Sequence, residues 1–325
     1  MLYLSMRRSI AAVAAAVSLA LLALTFAPAD AAAPMAKKSG PGYYRMMLGD
    51  FEVTALSDGT TDLPVNTMLN GIAPADIDKV LAGQALKSPL ETSFNAYLIN
   101  TGAKLILIDS GYGTYQGPTL GRMLENLKAS GYAPEQVDEV YITHMHPDHV
   151  GGLMNGSQRV FPNAVVRADK ADQDLWLSAE QLEKAPAARQ RNFKIAQESL
   201  NPYVAAGKFS AFEGNTTLGN GISSILTGGH TPGHSMFAVE SKGQKMIVLG
   251  DLMHVAAVQF AQPAVGISFD INSKVSAAAR ARLYDEAAKG LTILAASHIS
   301  FPGLGRVRTD GAGYVWLPVN YSVTR

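Results

Sequence analysis

The chain has 325 residues, is 47% hydrophobic and 17% charged, and balances 27 Lys and Arg against 27 Asp and Glu. That balance provides no basic field for nucleic acid and no polybasic membrane patch. The absence of cysteine excludes disulfide staples, thiolate metal ligands and a cysteine nucleophile, so a bound metal must rely on imidazole and carboxylate.

Residues 1–33 read as a secretory signal peptide: Arg7 and Arg8, an apolar run from Ile10 to Ala27, then a small-residue exit from Pro28 to Ala33. The run reaches the lower edge of membrane-spanning length, so an anchor is the rival reading. The arginine pair also leaves both the general and twin-arginine routes open. Cleavage would remove Arg7, Arg8 and Asp30 and leave 25 basic against 26 acidic residues. The expected product is periplasmic or secreted, with no stable membrane span. Residues 34–42 predict a flexible lead-in and residues 43–325 the folded domain.

In chain order, Tyr43–Leu48 and Phe51–Leu56 predict a hairpin around Gly49-Asp50, and Phe94–Ile99 with Lys104–Ile108 a second one. Pro118–Ser130 has helical spacing, with Leu120, Met123, Leu124 and Leu127 on one face. Val137–Thr143 predicts a strand, Ala164–Ala168 a short strand, Lys170–Leu177 the start of a helix and residues 178–200 a helical pair. Met236–Glu240 and Lys245–Gly250 predict a strand pair, Ser276–Lys289 a helix, Leu291–Ser297 a strand and Arg306–Val319 a closing hairpin. Each half carries a hairpin, a helix and a strand that ends at metal-type residues. This predicts an α/β protein with four layers, αββα: two packed mixed β-sheets with outer helices.

All seven histidines lie after residue 143. His144, His146, Asp148 and His149 form an HxHxDH run directly after a strand. Alternation puts i and i+2 on one face of any strand, so His-x-His alone is a modest signal. Two further donors on the following turn allow four ligands to meet two adjacent cations. Gly151 and Gly152 permit the tight bend behind them. Gly229-His230-Thr231-Pro232-Gly233-His234, Asp251 after Gly250, and His298 after an apolar strand are weaker signals one by one. Alone they read as a turn with two exposed histidines, a turn carboxylate and a core histidine. Together they supply the donors that the first cluster lacks, at strand ends where such sheets place their sites.

HxHxDH, GHTPGH, a strand-end Gly-Asp and a late His resemble the metallo-β-lactamase superfamily over essentially the whole mature chain. The resemblance implies that His144, His146 and His234 hold one metal and that Asp148, His149 and His298 hold another. Asp251 would bridge the two, with His230 orienting the loop from behind. It implies two divalent cations, zinc first, with manganese, cobalt or iron equally suited to these donors. It further implies hydrolysis by a water shared between the cations, with Asp251 or Asp148 as proton shuttle. His146 stands where the oxygen-reducing members carry Glu, which points to hydrolysis, and the zinc lactamases with a Cys ligand are excluded.

Gly42–Met46, Leu56–Thr60, Thr143–Met154, Phe161–Asp169, Ser199–Tyr203 and Pro318–Val323 resemble the methyl parathion hydrolase group, exported dizinc enzymes that are typically homodimers. At the positions that line that group's pocket, this chain has Met68 for Arg, Gln116 for an aromatic, His254 for Leu, Ile267 for Thr and Phe269 for Leu. Trp176 and Phe193 match pocket aromatics, although at helical spacing both also read as core, and His254 also reads as a loop residue. A bulkier, more polar wall favours planar lactones or aryl esters over phosphotriesters. The expectation is therefore a lactonase or arylesterase with promiscuous phosphotriester hydrolysis. The alternatives are a dedicated organophosphate hydrolase, a glyoxalase II-like thioesterase, and a metal-binding protein without catalysis.

Overall fold

Two runs of strands dominate the chain, and each forms its own sheet in sequence order. In this computed structural model, which describes residues 33–37 and 39–322, the first sheet contains β1 (Tyr43–Leu48), β2 (Phe51–Leu63), β3 (Leu90–Asn100), β4 (Leu105–Ile108), β5 (Glu139–Tyr141) and β6 (Val165–Arg167). The second contains β7 (Thr217–Gly219), β8 (Ile222–Leu226), β9 (Ser235–Ser241), β10 (Gln244–Val248), β11 (Ile293–Ala295), β12 (Leu304–Asp310) and β13 (Gly313–Pro318). The pairs β4–β5, β5–β6 and β10–β11 are parallel and the remaining neighbours antiparallel, so both sheets are mixed.

Side-chain alternation explains the layering. In β3, Tyr97 and Ile99 face a core shared with the second sheet's Phe237, Val239, Met246 and Val248. Ala96 and Leu98, on the opposite face, pack under Phe193, Ala196, Leu200 and Tyr203. Those four belong to α4 (Ala187–Ala205), which follows α1 (Pro74–Ala82), α2 (Met123–Ala129) and α3 (Lys170–Trp176). On the far side, Met236, Ala238, Ile247 and Leu294 pack against Ala279, Leu283, Tyr284 and Ala287 of α5 (Ser273–Ala288). Central strands are thus buried on both faces, which is why Leu105–Ile108 and Met246–Val248 are continuously apolar. The predicted αββα layering is present, and the described residues from Pro41 onwards form one compact unit.

Several boundaries differ from expectation. The helix predicted from Pro118 starts at Met123, because the Asp58 carboxylate accepts the backbone N–H groups of Tyr112, Gly121 and Met123 and wraps the preceding segment around itself. Strands β7 and β8 and helix α1 were not expected. The helix carries a readable signal, Pro at its first turn with Ile77 and Leu81 four apart and buried. The segment read as a signal peptide lies outside the described residues apart from Ala33. The described residues from 34 to 42 form neither helix nor strand. Among the described residues no helix is long and apolar enough to cross a membrane.

Candidate metal centre and its cavity

The parallel strands deliver the donors. Beyond β5 the chain runs through Thr143 into His144, and Pro147–Val150 forms one helical turn that carries Asp148 and His149. Beyond β10 comes Asp251, and beyond β11 comes His298. Gly152 lies so close to the next loop that a Cβ would fall 1.8 Å from the Ser110 carbonyl oxygen. Gly250, at φ +53°, precedes Asp251, and a Cβ there would stand 2.7 Å from His234 Nε2. A side chain at Gly152 would displace the Ser110 loop, and one at Gly250 would displace His234.

Two donor groups meet at Asp251. His144, His146, His230 and Asp251 form one, and Asp148, His149, Asp251 and His298 the other, with the ligand-type atoms of each group within 4.8 Å of one another. In the first, His146 Nδ1 lies 3.0 Å from both His144 Nε2 and His230 Nε2, and Asp251 Oδ2 lies 3.5 and 3.2 Å from those same two Nε2 atoms. In the second, Asp251 Oδ1 lies 3.0 Å from His149 Nε2 and 3.0 Å from His298 Nε2, and Asp148 Oδ2 lies 3.1 and 3.5 Å from the same pair. The carboxylate of Asp251 therefore gives one oxygen to each group. His149 Nε2 and Asp251 Oδ1 are buried without a hydrogen-bond partner despite lying 3.0 Å apart. Such an orphaned buried pair is costly unless a third party satisfies both atoms. An all-imidazole and carboxylate set with this convergence fits divalent cations of the zinc type.

The outward-facing nitrogens are fixed from behind. Asp109 Oδ2 accepts from His149 Nδ1 at 2.8 Å and from the Thr143 hydroxyl at 2.8 Å, while Asp109 Oδ1 accepts the Thr143 N–H at 2.8 Å. Asp109 makes these contacts from a left-handed backbone, φ +61°, a conformation that Asp tolerates better than most residues. Asp270 Oδ1 accepts from His230 Nδ1 at 2.9 Å. Asp172 binds the two donor loops together: it accepts the N–H groups of Met145 and Gly233 at 2.9 and 2.7 Å and the Thr231 hydroxyl at 2.9 Å. None of these three carboxylates was singled out in the sequence. Asp109, at the end of an apolar strand, had the same positional signal as Asp251. Asp172 sits inside a helix and had none.

Electrostatics divide the donors, keeping some imidazoles neutral and holding a proton on others. Burial pulls His146 down to about 3, with the His230 charge adding to the effect. Burial also acts downwards on His230, but the carboxylates of Asp251 and Asp270 outweigh it and hold His230 at about 9. Burial would raise Asp148, but His149 outweighs it and brings Asp148 to about 2. Because the folded value of His230 lies above its ordinary 6.5, the stabilisation it gives the metal-free protein is complete below about 6.5 and is lost as pH rises through 9. A cation needs the neutral ring, so metal affinity moves the other way. Competition titrations are expected to show affinity rising between pH 6.5 and 9 towards one decade per unit; a flat profile would remove His230 from the donor set.

The structure exchanges the two histidines of the GHTPGH turn relative to expectation. His230 enters the first donor group, and His234 does not. Both His234 nitrogens are already engaged: Nε2 accepts the Asp251 backbone N–H at 2.9 Å and Nδ1 donates to the Thr227 hydroxyl at 2.6 Å. His234 therefore positions Asp251 through the backbone.

A cavity of about 420 Å³ opens over the donors, its wall including His146, Asp148, Asp251 and His298. Of the expected pocket residues, Gln116, Trp176, His254 and Phe269 line it. His254 is 2% exposed, stacks on His298 at 4.9 Å, and donates from Nε2 to Asp251 Oδ2 at 3.0 Å. Met68, Phe193 and Ile267 do not line it. Phe193 packs behind Trp176 at 4.5 Å, and Ile267 is fully buried on the short ladder it forms with Leu69, against which Met68 also packs. The wall also includes Phe94, Tyr112, Leu120, Arg189, Asn192 and Ile271, which come from four separate segments and share no sequence pattern.

The sequence profile described as the metallo-beta-lactamase superfamily matches residues 92–298, more than half of the chain, and the chain belongs to that superfamily. Among solved structures it is similar to the hydrolase AbOPH of the beta lactamase superfamily, with 36% identity, a TM-score of 0.83, and coverage of 88% of this chain and 100% of that one. It is also similar to AidC, a dizinc quorum-quenching lactonase solved with a product, at 25% identity and a TM-score of 0.80, covering 86% of this chain and 98% of that one. An N-acyl homoserine lactonase of Bacillus sp is 27% identical over 172 residues, 47% of this chain and 60% of that protein, and one of Bacillus cereus matches to the same extent. The chain thus spans about 60% of the length of these curated relatives.

Proposed function

We propose that this chain is an exported hydrolase with two divalent metals, acting on lactones and aryl esters first and on phosphotriesters only promiscuously. The observation that carries the reading is the divided carboxylate of Asp251, one oxygen in each donor group, in the wall of a partly open cavity that mixes aromatic and polar side chains. His144, His146, His230 and Asp251 would hold one cation, and Asp148, His149, His298 and Asp251 the other. Zinc is the first expectation for these donors, which manganese, cobalt and iron suit equally. Two such cations lower the pKa of a shared water and polarise the substrate oxygen.

The chain's own residues then have distinct tasks. Asp251 and Asp148 both line the cavity and are the carboxylates able to accept the proton of the attacking water. His254 holds a proton at Nε2 against Asp251 Oδ2 and lines the cavity. Phe94, Trp176 and Phe269 provide flat apolar surface for a planar ring. Phe269 and His254, whose rings lie 5.8 Å apart, narrow the space that a phosphorus with three substituents would need.

The experiment is a side-by-side kcat/KM comparison of dihydrocoumarin and methyl parathion on zinc-reconstituted protein. The lactone is expected to lead by more than tenfold, and the opposite order would move the assignment to a dedicated organophosphate hydrolase. Export rests on Arg7, Arg8 and the Ile10–Ala27 run, and a homodimer on the resemblance to the methyl parathion hydrolase group. Fractionation and sizing chromatography test these two parts of the proposal.

A further inference from the structure

Between His254 and Asp270 the chain forms only one helical turn, Ala256–Gln259, and a two-residue strand, Gly266–Ile267. Yet the ends of this loop reach two members of the first donor group. At one end His254 Nε2 donates to Asp251 Oδ2 at 3.0 Å. At the other, Asp270 Oδ1 accepts from His230 Nδ1 at 2.9 Å, and the Ile271 N–H donates to the His230 carbonyl at 3.0 Å. Two side chains, Gln259 and Arg280, both fully buried, tie the loop together. Gln259 Oε1 accepts the N–H groups of His254 and Val255 at 2.8 and 2.9 Å, and Nε2 donates to the Val265 carbonyl at 2.9 Å. Arg280 reaches in from α5: Nε donates to the Leu252 carbonyl at 2.6 Å, and Nη1 to the carbonyls of Pro263 and Val265 at 2.7 and 2.8 Å.

A guanidinium and an amide buried this deeply are costly to desolvate, and apolar side chains of similar volume would fill the space at less cost. What the polar pair provides is order: six bonds to the main chain of a segment with few regular ones of its own. The two meet at the Val265 carbonyl, so the loop is held as one body from Leu252 to Val265. We propose that Gln259 and Arg280 are positioning residues that make this loop a rigid clamp on the first donor group. Through His254 the clamp fixes Oδ2 of Asp251, and through Asp270 it fixes the ring of His230. This rests on the hydrolase reading and deepens it. The clamp orients two of the four donors in the first group, but only the shared Asp251 in the second. Its loss therefore falls mainly on one of the two cations.

The test is stepwise cobalt titration of metal-free protein, followed by the visible absorption of the bound ions, with Tm measured on each preparation. Gln259→Met removes the amide at similar volume, and Arg280→Lys keeps the charge but loses the fork that spans the carbonyls. Gln259→Glu keeps the acceptor for His254 and Val255, and Arg280 beside it offsets the new charge. Glu139→Gln is the control: it breaks the buried pairs with Lys104 and Arg167, away from the clamp. In Gln259→Met and Arg280→Lys one binding step is expected to weaken about 10–100-fold, the usual loss when a ligand's support is removed. The other step is expected to stay near its wild-type value, and anomalous diffraction of the partly loaded variant is expected to place the missing cobalt among His144, His146, His230 and Asp251. Gln259→Glu is expected to restore the weakened step, and Glu139→Gln to lower Tm with both steps intact. If Gln259→Met does not fold, Arg280→Lys and Gln259→Glu make the same comparison. Two steps unchanged in every variant, or both weakened together in proportion to Tm, overturn the proposal. Ester turnover with insensitive steps overturns the clamp and leaves the hydrolase reading intact. Selective loss of one step, in a protein that turns over no ester, supports the clamp and counts against the hydrolase reading.

Discussion

Replacing Asp251 by alanine is expected to lower kcat/KM by three decades or more while the protein still folds. Each oxygen of this carboxylate faces a different donor group, 3.0 Å from His149 and His298 on one side and 3.2 Å from His230 on the other. Its removal takes a ligand from both groups at once. Cation-based stabilisation of transition-state charge amounts to several kcal/mol, and each ~1.4 kcal/mol is tenfold in rate. Folding is expected to survive because the backbone N–H of residue 251, which His234 Nε2 accepts, is kept in alanine. Circular dichroism and kinetics on the same preparation read both outcomes. Activity within tenfold of the wild type would remove the shared role of Asp251.

The second large effect is expected at Asp172, which never touches a donor atom of either group. Its carboxylate accepts from Met145, Gly233 and Thr231, and so joins the loop that carries His144 and His146 to the turn that carries His230. Asp172→Ala leaves three donors unsatisfied in a fully buried site. At about 1–3 kcal/mol for each buried group left unpaired, a destabilisation of roughly 3–5 kcal/mol is expected after partial relaxation. Metal affinity is expected to fall about 10–100-fold, as for other residues that orient ligands from behind. Thermal unfolding and metal competition measure the two effects. A lower Tm with unchanged metal affinity would show that Asp172 supports the fold without aligning the donors.

How far the sequence could be read follows from the range over which each feature is determined. HxHxDH is compact, because four donors within six residues on a turn after a strand leave little freedom. The layered fold was readable for a related reason. Strands buried on both faces must be continuously apolar, and Leu105–Ile108 and Met246–Val248 are. The GHTPGH turn was not readable to the residue. His230 and His234 are both buried and both lie beside Asp251, and local spacing treats them alike. What separates them is a long-range fact, the engagement of both His234 nitrogens by Thr227 and the Asp251 backbone. The same holds for Pro118–Arg122, whose helical spacing is overridden by three backbone bonds to Asp58, some sixty residues away in the chain. The cavity wall was least readable, because depth along a helix decides it: Trp176 faces the cavity and Phe193, 4.5 Å away, backs it.

The central claim is that two cations share Asp251. The most direct measurement is metal content by mass spectrometry, paired with anomalous diffraction from the zinc-reconstituted protein. The account predicts two metals per chain, one among His144, His146, His230 and Asp251 and the other among Asp148, His149, His298 and Asp251. One metal per chain after reconstitution, or a metal bound by His234 in place of His230, would contradict it.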